Sequence, residues 1–375
     1  MAPKTASKSG TPNPKSNNKA SHTPFPSSST PRVWLITAAA SPIGIAIARA
    51  ALAHGDSVIA GLKDGDSGDT NSRDRGEEFG EFYMGECVRE GWKERIRVVA
   101  LDGRVMGQCQ AAVAEAVEAF GRLDILFCCS SEALIGTVEE LAASPRTQTL
   151  VREQFETNFF GPVNMIKAAL PAMRKRIAGH IMVLTGIAGH VGTPGLGMYC
   201  ASGWALEGFC DSLAYEVAPF NIKMTIVQPT MEIGVLTNKI VSAPLLPQYA
   251  PENNPAPLSR DIIGRLLDRI ESAQRNGNYQ SSVLATDEIT SIYPRLPADM
   301  KSALLAETIN AITAIGGHDN PPARHIVGHE AVASVKEKLK TVSEELEDFV
   351  EVSCAVDIDE RGAEDSGHVV PDGTL

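Results

Sequence analysis

At 375 residues with 43% hydrophobic content, the chain is long enough for one large domain with a sizeable core or for two smaller ones. A formal net charge of -12 excludes nucleic acid as a general partner, because a phosphate backbone is bound by clustered Lys and Arg. No run of about 18 apolar residues occurs, and the first 31 residues carry no apolar signal core, so neither secretion nor a membrane span is expected.

Residues 1 to 31 hold Lys4, Lys8, Lys15 and Lys19 and no acid, while residues 341 to 375 hold eleven acids against Arg361, which leaves the body near -6. Met1 to Thr30 is rich in Ser, Pro, Lys and Asn, with Phe25 its one aromatic, so it is expected to be a disordered tail. The Ser-rich, acid-free start also leaves a transit peptide open, although Arg32 is the only nearby Arg and no amphipathic period is visible. The seven cysteines are odd in number and show no CxxC pair, so neither a disulfide framework nor a zinc site is expected, and a reducing, cytoplasmic location fits best.

From Arg32 onward, apolar β-branched runs alternate with helical segments, the mark of a parallel sheet with crossover helices. Strands are expected at Val33 to Ala39, Ser57 to Leu62, Ile96 to Leu101, Ile125 to Cys129, His180 to Thr185 and Lys223 to Gln228. Between them, helices are expected from Ile43 to His54, closed by Gly55, and from Val105 to Phe120, closed by Gly121. Two longer ones are expected from Phe155 to Ile177 and from Tyr199 to Val217. Six strands so connected make a doubly wound α/β sheet.

Two regions break the rhythm. Asp64 to Glu81 is polar and rich in Gly and acids, and is expected to be a loop with no chemistry of its own. Residues 238 to 320 are punctuated by Pro and would cap the carboxyl ends of the strands, where a ligand crevice belongs. A last helix from His329 to about Val350 places Val332, Val335, Leu339, Val342, Leu346 and Phe349 at helical spacing, and the simpler expectation is that this face packs on the body. The expected organisation is thus a tail over 1–31, one domain over 32–350 and an acidic tail over 351–375.

The stretch GIAGHVGTPGLGMYCASGWALEGFCDSLAYEVAPFNIKMTIVQPT, with TAAASPIG after the first strand and TNFFG in the long helix, resembles the classical short-chain dehydrogenase/reductase family, nearest its hydroxysteroid and retinol dehydrogenase branch. The resemblance runs from about Arg32 to Thr230 and implies a Rossmann-type fold, an NADP(H) cofactor, a lipophilic small-molecule substrate in the crevice and a homodimer. It assigns the cofactor loop to Thr37, Ser41, Ile43 and Gly44, a basic 2'-phosphate contact to Lys63 and an adenine contact to Asp102. Tyr199 would be the general acid/base, and Asn158 would anchor a proton-relay water.

Several stations depart from the family pattern. Ala38 and Pro42 stand where TGxxxGxG has its first two glycines, and Pro42 has no N–H to offer a phosphate. The NNAG station is Cys128, Cys129, Ser130 and Ser131, and the PG station is Pro229 and Thr230. The Lys that should follow Tyr199 by one helical turn is Gly203, and the Ser thirteen positions before it is Gly186. A Tyr with no cation beside it keeps a pKa near 10, far from the range useful for proton transfer at neutral pH.

Three readings stay open. The first is a non-redox or pseudo-enzyme member of this fold. The second is a weak NADP(H)-dependent oxidoreductase acting on a lipophilic alcohol or ketone. The third is an interaction module that uses the acidic tail.

Overall fold

The computed structural model describes residues 30–63, 73–254, 258–274 and 286–354, and positions 25, 26, 28, 256 and 284 besides. Most of the two expected tails and residues 64–72 lie outside the described residues. Within the N-terminal segment, Phe25 stacks on His54 with ring centroids 4.2 Å apart and lies under the Arg32 guanidinium.

In chain order the strands are β1 (Val33–Ile36), β2 (Ser57–Leu62), β3 (Ile96–Ala100), β4 (Ile125–Cys128), β5 (Glu132–Ile135), β6 (Gly179–Leu184), β7 (Ile222–Gln228), β8 (Lys239–Ser242), β9 (Thr290–Ile292) and β10 (Arg324–Ile326). Seven of them form one parallel sheet in the order β10-β7-β6-β4-β1-β2-β3. The fold is the expected doubly wound, Rossmann-type α/β sheet, with one strand more than the sequence announces. The extra strand, β10, is the short polar run Arg-His-Ile, which no apolar pattern marks. It is held on β7 by the ladder from Arg324 to Ile226, and by Arg324, whose Nη2 donates to Asp211 at 2.5 Å.

Near-continuous burial of β1, β2, β4 and β6 follows from helices on both faces. On one face Ile43, Ile47 and Leu52 of the Pro42–His54 helix pack with Ile312 and Ile315 of the Ala298–Ile315 helix. On the other, Met165 and Ile166 pack with Leu206, Cys210 and Leu213. Each such side chain taken fully out of water contributes roughly 1.5–3 kcal/mol, which fixes the sheet as the rigid platform on which loop residues are aimed.

Three expectations need correction. The polar insertion is helical where it is described: Arg73–Gly80 runs through a π turn (Glu81–Glu86) into Cys87–Arg89, because Phe79, Phe82 and Cys87 supply a buried face. The long helix expected over 155–177 is two, Pro145–Phe155 and Gly161–Arg176, joined by the π turn Glu156–Phe160. Ser144 starts the first with a capping box, a signal that lies eleven residues upstream of the expected start. In the last helix, His329–Asp348, Ala331 and Val335 are buried and Val332 is half-buried, while Leu339, Leu346 and Phe349 are exposed by 59%, 62% and 62%.

Within residues 238–320, β8 pairs with β5 and β9 to make a second, three-stranded sheet beyond the carboxyl ends of the main strands.

Candidate functional site

Strand order reverses between β1 and β4, and the crevice opens past their carboxyl ends. Thr37 closes it from below. Its Oγ1 accepts the Cys129 amide at 3.0 Å and the Ser130 amide at 3.3 Å, tying the end of β1 to the segment after β4. Cys129 in turn donates its thiol to Thr37 O at 2.8 Å, and burial pushes that thiol up to about 12, so it is a packed, protonated group.

The loop from Thr37 to Gly44 keeps the shape of a phosphate cradle with fewer donors. The Pro42–His54 helix is capped by Ser41, whose Oγ accepts the Gly44 amide at 3.1 Å, while Ile45 donates to Ser41 O. Pro42 has no N–H. Among the described residues, the Ile43 amide is therefore the one first-turn donor without a protein acceptor. Ala38 takes a left-handed φ of 47°, the conformation that the missing glycine would adopt freely.

Thr37, Ser41, Lys63 and Asp102 all border one cavity of about 280 Å³. So do Arg75 from the insertion and Asn238, Lys239 and Tyr293 from the second sheet and its approaches. Arg104 grips Asp102 with Nε and Nη2, at 2.9 and 2.5 Å. Burial alone would raise the Asp102 carboxyl, but these bonds and the charges of Arg104 and Lys63 hold it below the usual carboxylate range.

The catalytic end has a different character. Only about 20 Å³ remains among Ser131, Asn158, Thr185, Tyr199 and Gly203. The Asn158 side chain is spent on structure: Oδ1 accepts the Glu132 amide at 2.8 Å, and Nδ2 donates to Glu132 O at 2.9 Å and to Ser202 Oγ at 3.3 Å. Both ends of the Asn158 amide are thus engaged, by β5 and by Ser202. Ser202 Oγ donates to Tyr199 O at 2.8 Å, and Thr185 Oγ1 donates to the buried Glu207 at 2.7 Å, so neither neighbour replaces a missing group.

Tyr199 is buried with Leu196, Val235, Leu236 and Ile240. Its hydroxyl receives a long bond, 3.4 Å, from Ser131 Oγ. Gly234, in the Met231–Leu236 helix, is seated on it so closely that a Cβ there would lie 2.5 Å from the Tyr199 oxygen. Burial raises the phenol above its ordinary value, further from a useful acid/base range, and the Ser131 bond offsets only part of that.

The two glycine stations behave differently. A Cβ on Gly203 meets nothing nearer than 3.6 Å, so a side chain could start there. Gly186 sits at φ 73°, where any L side chain is strained. The fit to a nicotinamide dinucleotide is therefore divided. The cavity at Lys63 and Asp102 suits the phosphorylated nucleoside end, whereas the space at Tyr199 does not suit the nicotinamide end.

Of the residues singled out from the sequence, Thr37, Ser41, Lys63 and Asp102 line the larger cavity, Asn158 and Tyr199 line the smaller space, and Ile43 and Gly44 line neither, while Arg75, Tyr293 and Gly234 come to the crevice without having been singled out. None of these three lies in a motif, and only the tertiary fold brings them to the crevice.

A parallel doubly wound sheet with a cavity at its switch point is the arrangement of a Rossmann-type α/β fold. A family model described as short chain dehydrogenase matches residues 32–242, more than half of the chain, and the protein belongs to the short-chain dehydrogenase/reductase family. It is 28% identical over 324 residues to "Oxidoreductase BOA17" of Botryotinia fuckeliana, covering 86% of this chain and 98% of that one. It is 36% identical over 184 residues to a 3-ketodihydrosphingosine reductase of Bacteroides thetaiotaomicron, covering 49% of this chain and 64% of that protein. With human retinol dehydrogenase 8 the identity is 30% over 219 residues, covering 56% of this chain and 62% of that protein. The crystal structure of a short-chain dehydrogenase from Streptomyces avermitilis shares the fold, with a TM-score of 0.58 at 24% identity over 88% of this chain and all of that one. Among the described residues, no helix is long and apolar enough to cross a membrane.

Proposed function

We propose that this chain is a short-chain dehydrogenase-fold protein without redox turnover, which keeps a nucleotide cavity and has closed the end where its family transfers hydride. The observation that carries this reading is the seat of Gly234 on the Tyr199 hydroxyl, together with a space of only about 20 Å³ between Tyr199 and Gly203, where the family's Lys would stand. A phenol buried without a cation neither gives nor takes a proton readily near pH 7. Asn158, Ser202 and Thr185 are committed to structural bonds, which supports the same reading.

A second reading, an NADP(H)-dependent oxidoreductase acting on a lipophilic alcohol or ketone, is favoured by the names of the retinol dehydrogenase and ketoreductase relatives and by the presence of Tyr199 and Lys63. It requires the Met231–Leu236 helix to leave Tyr199. The apolar side chains that could receive such a substrate, Leu196, Val235 and Leu236 among them, are packed on one another. The reading also includes a reducing, cytoplasmic setting, supported by six buried free thiols among the described cysteines. It includes a homodimer as well, supported by exposed Trp204 and Tyr215 on the Gly197–Val217 helix.

The deciding measurement is NADPH oxidation with a panel of lipophilic ketones and quinones, comparing the wild type with Tyr199→Phe. Equal, background-level rates are expected. Robust wild-type turnover abolished by Tyr199→Phe would establish the second reading instead.

A further inference from the structure

From Lys336 to Cys354 every residue is exposed, so the last helix, His329–Asp348, stands clear of the body beyond its first turns. A free helical stretch of roughly 12–15 residues is marginal in water, because its nucleus is costly and no packing offsets that cost. This one carries the means to be packed. Val332, Val335, Leu339, Val342, Leu346 and Phe349 follow one another at intervals that alternate between three and four residues, the seam of a coiled coil, which is narrower than the face a helix lays on a globular body. Val335 is buried at the root and Val332 half-buried, while Leu339, Leu346 and Phe349 are exposed.

The charges beside the seam select its occupant. Lys336, Lys338 and Lys340 stand with Glu337 in the half nearer the body, and Glu344, Glu345, Glu347 and Asp348 fill the outer half with no base among them. Lys340 is paired with Glu344 within the helix at 3.6 Å, on the side away from the seam. Lys338 and Glu345 border the seam itself, directly preceding Leu339 and Leu346. A second copy laid parallel and in register would run basic half against basic half, with Lys338 beside Ser343 and Glu345 beside Val350. Laid antiparallel, it opposes Leu339 to Val342 of the second copy and sets Lys338 beside Glu345 of the second copy, and the twofold axis repeats both contacts. Leu346 and Phe349 of each copy then run on toward the half-buried Val332 of the other. An anionic lipid surface is a poorer occupant, because Glu345, Glu347, Asp348 and Glu351 surround Leu346 and Phe349 along the chain.

We propose that the last helix is a self-recognition element, which pairs with the same helix of a second copy as an antiparallel coiled coil whose orientation is set by Lys338 and Glu345. The contact is independent of the Gly197–Val217 helix and of the crevice. It therefore doubles whatever mass the rest of the surface sets, and its failure leaves the reading of Tyr199 untouched. Because it joins copies rather than parts of one chain, breaking it leaves the dilute protein as stable as before.

Sedimentation velocity of the full chain over a dilution series tests the contact, and wild type should double in mass as concentration rises. Leu339→Asp, a change that occurs twice in the pair, should weaken association about a hundredfold, roughly tenfold for each occurrence. Lys338→Glu and Glu345→Lys should each weaken it about threefold to tenfold by setting like charges together. An equimolar mixture of these two variants, and the double variant Lys338→Glu/Glu345→Lys, should associate within about twofold of wild type, since both restore opposite charges across an antiparallel contact and neither does so across a parallel one. Melting temperatures at the lowest concentration should match wild type throughout. A wild-type mass that does not change with concentration, or undiminished association of Leu339→Asp, overturns the self-contact. Single charge variants that associate poorly and do not recover in the mixture overturn the antiparallel pairing. Wild-type binding to phosphatidylserine vesicles that Leu346→Asp abolishes, with no change of mass in solution, assigns the face to lipid and overturns the proposal as well.

Discussion

Gly44 survives where the other two glycines of its loop do not, and the reason is steric. A Cβ at Gly44 would lie 2.5 Å from Ala38 O and 2.7 Å from Ala39 Cα, both backbone atoms that cannot step aside. Its retention is therefore a packing requirement between loop and helix, which holds whether or not a cofactor binds. Gly44→Ala should cost roughly 3 kcal/mol in urea unfolding, the upper end of ordinary overpacking. Ala38 presents the opposite case, an L residue held at φ 47°. Ala38→Gly should gain about 0.5–1 kcal/mol, the left-handed strain relieved less the added chain entropy of glycine. A Gly44→Ala chain as stable as wild type would mean that the loop is looser than this packing. The catalytic stations show the same separation of shape from chemistry. Gly203 and Gly186 were legible as losses from spacing alone, but that a side chain could start at one and would be strained at the other depends on backbone angles no motif encodes.

At the scale of elements, the insertion and the last helix were both misjudged, in opposite directions. The Arg73–Gly80 helix hides in a stretch whose composition is that of a loop, and its two buried aromatics, Phe79 and Phe82, are too few to stand out from the acids around them. That is why Arg75 was not legible as part of the cavity lining. The His329–Asp348 helix has a clear apolar stripe, and periodicity says only that a face exists, never what lies against it. Its first turns are anchored by Ala331 and Val335, and beyond them the stripe is exposed. Thermal unfolding separates the two halves. Val335→Ala should cost about 2 kcal/mol, two buried methyl groups and the space they leave. Leu346→Gln, at a site 62% exposed, should stay within about 0.5 kcal/mol of wild type. A loss of 2 kcal/mol at Leu346 would place that face against a surface after all.

For the whole molecule, the sheet was legible because its central strands are buried on both faces and must be written almost entirely in apolar residues, as in Val33–Ile36 and Ile125–Cys128. Its edge was not, because β10 is three residues long and is held by tertiary bonds. One of those tertiary networks gives the fold a built-in acid sensitivity. His180 on β6 is buried, accepts the Gly317 amide at Nδ1 over 3.0 Å, and lies 3.0 Å from Thr225 Oγ1 on β7 through Nε2. Since Thr225 Oγ1 donates its own proton to Pro322 O at 2.7 Å, Nε2 must carry the imidazole proton, and the ring is neutral. The chain 180–225–322 thus joins two central strands to the segment that leads into β10. Burial, with smaller contributions from the charges of His318 and Lys223, lowers the imidazole to about 3. A folded value below the ordinary 6.5 means that the unfolded chain takes up the proton first. Its stabilising contribution is complete above pH 6.5 and is lost as pH falls through 6.5 toward 3, at about 1.4 kcal/mol per pH unit for one proton. Asp102 and Glu140, whose carboxyls are held low by Arg104 and Arg260, act in the same direction but only further into acid, so the interval from pH 6.5 to 5 isolates histidine. His325, also lowered by burial, contributes there too, so the quantity to read is a difference in slope. Urea unfolding across that interval should show the wild type losing stability more steeply than His180→Gln by about 1.4 kcal/mol per pH unit. Parallel slopes for the two proteins would mean that His180 is protonated in the folded state, and that the hydrogen-bond direction assigned to this network is wrong.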